Sequence, residues 1–152
     1  MVYSDGPTMV LDFKNEESKS SLETIIDNLP HLRGARRIDR ALKAATDVLR
    51  DIDTDHPKFV ILVAAGRQTD EPGSQTFSAA VKPLQRTGTK IHVMAVGDNV
   101  DPSYFQEDDK NKSSVISVPS FLELPQGAER LSTDILVEYG MNMVLLRSSF
   151  FF

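Results

Sequence analysis

The seven residues FVILVAA at 59–65 are apolar at every position, whereas RRIDRALKAATDVLRDI at 36–52 spaces its apolar residues three and four apart. The second pattern predicts an amphipathic helix, with Ile38, Ala41, Leu42, Ala45, Val48, Leu49 and Ile52 on one stripe. The first predicts a parallel strand buried on both faces. Upstream, SKSSLETIIDNLPHL predicts a helix with Leu22, Ile25, Ile26 and Leu29 at helical spacing, Ser20 and Glu23 as its capping box, and Pro30 at its end. The opening MVYSDGPTMVLDF reads as a hairpin turning at Asp5-Gly6, with a short first arm and a second arm at 8–13.

Further along, SQTFSAAVKPLQRTG predicts a helix on Phe77, Ala80, Val81 and Leu84, kinked or restarted at Pro83 and capped by Gly88. KIHVMAVG is a second buried strand and SSVISV a shorter, edge-like one. QGAERLSTDILVEYG then supplies a helix on Ala128, Leu131, Ile135 and Tyr139. Helix, strand, helix, strand, strand, helix is the order of a doubly wound α/β sheet with an antiparallel hairpin at one edge. The segment MNMVLLRSSFFF fits none of this periodicity, so residues 1–139 are read as one domain and 140–152 as a divergent tail.

Composition narrows the chemistry. The chain has 152 residues, 40% hydrophobic and 26% charged, enough for one domain with a real core. A net charge of -5, with basic residues scattered except for RGARR, gives no electrostatic reason to expect nucleic acid. With no cysteine there is no disulfide, thiolate zinc site or cysteine nucleophile. No stretch approaches the ~18 apolar residues of a membrane span, and the first residues do not read as a signal peptide.

Asp51, Asp53 and Asp55 alternate like the opening of a calcium loop, but the required glycine is missing and the twelfth position is Leu62. That stretch reads as a solvated helix end. His31, His56 and His92 share no ligand spacing. No G-x-S-x-G elbow, phosphate-binding loop or G-x-G-x-x-G follows a predicted strand, so no enzyme activity and no cofactor are expected. Arg33, Arg36, Arg37, Arg40 and Arg67 are the candidate partner-binding residues, since guanidinium groups can clamp carboxylates bidentately. The bland reading of the first four is a helix surface paired with Asp39 and nearby acids.

Taken together, YSD…VLDF, RGARRIDRALKAATDVL, PKFVILVAAGRQTD, LQRTGTKIHVMAVGDNVD and VPSFLELPQGAERL resemble a von Willebrand factor A domain of the extracellular-matrix type over roughly residues 1–139. The resemblance implies a Rossmann-like, mostly parallel sheet with one antiparallel edge strand. It also implies a missing opening strand and helix, because members begin with a central strand ending in Asp-x-Ser-x-Ser; the chain is thus expected to start inside the domain. Where the family places a metal-binding Thr this sequence has Arg36, and where it reads Thr-Asp-Gly this sequence reads Ala64, Ala65, Gly66. The implied function is a metal-independent adhesion module, extracellular, with protein partners such as matrix or collagen-like proteins. The alternatives are an incomplete Rossmann-like ligand-binding or enzymatic domain and a truncated product without function of its own.

A lost central strand has a cost. Four buried apolar side chains at ~1.5–3 kcal/mol each amount to about 10 kcal/mol, against a total stability of ~5–15 kcal/mol. Self-association through the incomplete sheet, aggregation, or closure of the gap between strands is therefore expected.

Overall fold

The computed structural model describes residues 1–11, 13, 17–52, 55–106 and 114–138. The hairpin forms from β1 (Val2–Tyr3) and β2 (Pro7–Thr8), antiparallel, with Tyr3 opposite Pro7. The expected second arm is shorter than read, since Pro7 and Thr8 alone pair; position 12 lies outside the described residues. A separate sheet has the order β3-β4-β5, built from β3 (Phe59–Ala64), β4 (Lys90–Val96) and β5 (Ser114–Val118), all parallel. Among the described residues the hairpin and the parallel sheet are not joined by a ladder.

Among the described residues four α-helices accompany them: α1 (Lys19–Asp27), α2 (Ile38–Arg50), α3 (Phe77–Arg86) and α4 (Leu124–Glu138). Ser18, not Ser20, caps α1, its hydroxyl accepting from the Ser21 N–H at 3.2 Å. The chain already turns helical at Lys19, which puts Ser20 inside the first turn; there its carbonyl accepts from the Thr24 hydroxyl. α3 is capped by Thr76 and runs through Pro83 as one element. Gly88, at φ +74, lets the chain turn back so that its N–H reaches the Gln85 carbonyl, the capping role expected of it.

β4 is the centre of the core because alternate residues point to opposite faces. Ile91, Val93 and Ala95 meet Leu62, Ala64 and the apolar stripes of α2 and α3; Met94 and Val96 meet Val118, Leu131 and Ile135. His92 is buried on this second face, its ring edge-on to Phe59 at 6.3 Å. On α4 the inward stripe is Gly127, Leu131 and Ile135, while Ala128 is exposed. The hydrophobic pattern points one position along, to Ala128, because a glycine carries no hydrophobic signal. Tyr139 and the tail at 140–152 lie outside the described residues.

The expectation that residues 59–65 would be covered on both faces is corrected. Leu62 and Ala64 are buried under α2 and α3, but Phe59, Ile61 and Val63 are 42%, 46% and 43% exposed. α4 packs on β4 and β5 and does not reach across β3. Among the described residues no helix is long and apolar enough to cross a membrane.

Candidate functional site

The parallel strands direct their carboxyl ends toward one rim, where the loop after β3 meets the loop before α2. Gly66 sits at φ +144, a conformation that favours glycine. A β-carbon there would stand 3.4 Å from Arg36 Nε, so the missing side chain lets the guanidinium lie against the backbone. Arg36 Nε donates to the Arg67 carbonyl at 3.0 Å. The Arg36 N–H donates to Thr69 Oγ1 and the Thr69 N–H to the Arg36 carbonyl, both at 3.1 Å. Three hydrogen bonds thus clamp the two loops. The two terminal nitrogens of Arg36 make no hydrogen bond among the described residues, and the residue is exposed.

Arg37 points the other way. Only 3% exposed, it holds Asp39 through two parallel bonds, Nε to Oδ1 at 2.9 Å and Nη2 to Oδ2 at 2.8 Å. Its remaining terminal nitrogen pairs with Glu71 Oε2 at 2.6 Å. The guanidinium holds the Asp39 carboxyl below its usual range, and the two acids together raise the arginine above its own. Arg37 is also the residue that precedes α2, and it makes no side-chain cap. Gln68 substitutes from the other loop: its Oε1 accepts from the Asp39 N–H at 2.7 Å, and its Nε2 donates to the Gln75 carbonyl. A buried amide thereby satisfies a helix N–H that a local cap normally takes.

The hairpin turn organises the remaining arginines. Asp5 Oδ1 accepts from the Ala35 N–H at 2.6 Å, and the Asp5 carbonyl from Arg40 Nη1 at 2.6 Å. The Ser4 hydroxyl donates to the Arg33 carbonyl at 2.8 Å, while the Ser4 carbonyl accepts from the Arg37 N–H. On the other side Arg67 lies 5.4 Å from the centre of the Tyr104 ring, a cation–π distance, beside a cleft of about 400 Å³ lined by Asn99, Val100 and Asp101. Tyr104 is held by ring contacts with Phe77 and the fully buried Phe105.

Arg36 and Arg67 are therefore in direct contact, and Arg33 and Arg40 are tied to the same rim through Ser4 and Asp5. Arg37 is an internal ion pair, its side chain withdrawn from the surface. The pairing of the arginines with Asp39, the bland reading of the sequence, holds for Arg37. Gln68, Thr69 and Tyr104 went unmarked in the sequence, since a polar residue in a loop carries no pattern that reveals its partner. Among the described residues no group of three or more His, Cys, Asp or Glu side chains is placed to hold a metal ion; Asp53 lies outside them.

Comparison with known proteins agrees with this architecture. Proximal thread matrix protein 1 from the mussel byssus superposes with a TM-score of 0.68 at 22% sequence identity, over 88% of this chain and 33% of that one. The form of that protein described as having a zinc occupied MIDAS motif superposes with a TM-score of 0.70 at 23% identity, again over 88% and 33%. This chain thus spans about a third of the length of the solved proteins it matches. The profile of the von Willebrand factor type A domain matches residues 1–130, and the chain belongs to that family.

Proposed function

We propose that this chain is a non-catalytic protein-interaction module of the extracellular-matrix type, acting outside the cell without a divalent cation, with the rim at Arg36 as its contact surface. The observation that carries the reading is the Arg36 guanidinium seated on Gly66. A hard cation needs several oxygen ligands, and this position presents a fixed positive charge beside two alanines. A carboxylate suits the same place, because the unengaged terminal nitrogens of Arg36 can donate two parallel bonds. Arg67, Arg40 and Arg33 would extend the surface toward an acidic stretch of a matrix or collagen-like protein. Arg37, through Asp39 and Gln68, would hold the loops in place.

The test is binding of a glutamate-rich peptide to the full chain, followed calorimetrically with magnesium, with zinc and with a chelator. Equal affinity in all three, weakened about tenfold or more by Arg36→Ala, is expected. Binding that appears only with metal overturns the reading.

A further inference from the structure

Arg36 and Tyr104 hold the two ends of one peptide group. The Arg67 carbonyl accepts from Arg36 Nε at 3.0 Å, and the N–H of the same peptide, that of Gln68, donates to the Tyr104 phenol oxygen. This peptide is trans, so its carbonyl and its N–H point to opposite sides. A line of two hydrogen bonds therefore runs from the guanidinium, through the backbone between residues 67 and 68, to a phenol on another loop. Burial pushes that phenol above its ordinary value, so it is neutral throughout the physiological range.

The phenol end is the fixed one. Tyr104 lies in the short helical turn Pro102–Phe105, and its ring meets Phe105 at 5.0 Å, nearly perpendicular, and Phe77 at 6.2 Å. Both phenylalanines belong to the main core. The same ring carries the Arg67 guanidinium. Gln68 is held as well, through its side chain to the Asp39 N–H and the Gln75 carbonyl. The guanidinium end differs, because Arg36 is exposed. A long exposed side chain loses rotamer freedom when it engages a partner. The bond from Nε to the Arg67 carbonyl removes part of that freedom beforehand, and a hydrogen bond to the far side of a peptide strengthens the carbonyl on its near side as an acceptor.

On the reading of Arg36 as the contact residue, on which this inference rests, we propose that Tyr104 is a positioning residue of the rim. By accepting from the Gln68 N–H it fixes the peptide whose carbonyl orients the Arg36 guanidinium over Gly66 for a partner's carboxylate. Without the phenol oxygen the N–H of the buried Gln68 has to turn toward another acceptor. The Arg67 carbonyl, part of the same rigid plane, turns with it and away from Arg36 Nε.

The experiment uses the full chain labelled with nitrogen-15. Tyr104→Phe keeps the ring, and with it the contacts to Phe77, Phe105 and Arg67, and removes only the hydroxyl. The Arg36 Nε–H resonance, identified by its loss in Arg36→Lys, is expected to exchange with water about fivefold faster in Tyr104→Phe, with unchanged far-ultraviolet circular dichroism. In calorimetry with the glutamate-rich peptide, Tyr104→Phe is expected to weaken binding about threefold. Arg36→Ala combined with Tyr104→Phe is expected to bind no more weakly than Arg36→Ala alone. If Tyr104→Phe fails to fold, a ring-fluorinated tyrosine placed at residue 104, a poorer acceptor of nearly the same shape, is expected to speed the exchange in the same direction. The proposal is overturned if the Nε–H exchanges at the wild-type rate in these variants, or if the two substitutions weaken binding additively. A wild type that does not bind the peptide defeats the reading of the rim as a contact surface, and the exchange rate then decides by itself whether Tyr104 positions Arg36.

Discussion

Gly34 and Asp5 are in such close approach that a β-carbon on the glycine would lie 2.6 Å from Asp5 Oδ1. The loop before α2 can therefore hug the hairpin turn only with a bare backbone, and Gly34 adopts φ +130, where a side chain is strained in any case. The carboxylate cannot simply swing aside, because it accepts from the Ala35 N–H.

Gly34→Ala is accordingly expected to destabilise the fold by about 2 kcal/mol, from the backbone strain and the displaced Asp5 together. Urea unfolding would show a lower midpoint with an unchanged slope. A midpoint equal to wild type would mean that the hairpin turn does not anchor this loop.

Asp39→Ala should cost about 3–5 kcal/mol, since it strands the buried Arg37 with only Glu71 and removes the acceptor of the Gln75 N–H. The same carboxylate sets an acid limit. Its folded value lies below the unfolded one, so its contribution is complete above the ordinary aspartate value of about 3.9 and is lost as the pH falls through the lower folded value. Thermal midpoints measured across the acid range should fall in that window for wild type, and Asp39→Ala should flatten the dependence.

Gly127→Ala tests the packing of α4. A β-carbon there would meet Val118 Cγ2 at 2.6 Å and Met94 Sδ at 3.3 Å. Overpacking costs ~1–3 kcal/mol, against a helix-propensity gain of ~1 kcal/mol, so a net loss of about 1 kcal/mol is expected. Ala128→Ser, one position on and exposed, should stay within ~0.5 kcal/mol of wild type in the same denaturant titration. The reverse ranking would place Ala128 at the interface.

How much could be read in advance varies by element. The stripe on α2 was visible because Ile38, Ala41, Leu42 and Leu49 recur at the period of a helix facing a core, and those four are buried. Gly88 was visible because one residue type dominates that turn. At the rim, Arg36, Arg67, Arg33 and Arg40 could be picked out as cations, yet nothing local distinguished Arg36 from Arg37. The former rests on Gly66 and the latter turns inward, and the difference lies in Thr69, Gln68 and Glu71, about thirty residues away in the chain.

Periodicity and turn chemistry are local, so the order of elements, the parallel class of the sheet and most of the buried face of α2 followed from the residues in line. Burial of β3 did not. FVILVA is as apolar as a strand enclosed on both sides, but enclosure depends on which elements arrive beside it: α2 and α3 cover Leu62 and Ala64, β4 takes one edge, and α4 stops short of Ile61 and Val63. Hydrophobicity states what a segment would gain by leaving water, whereas the surface it actually loses is decided by neighbours brought together from distant parts of the chain.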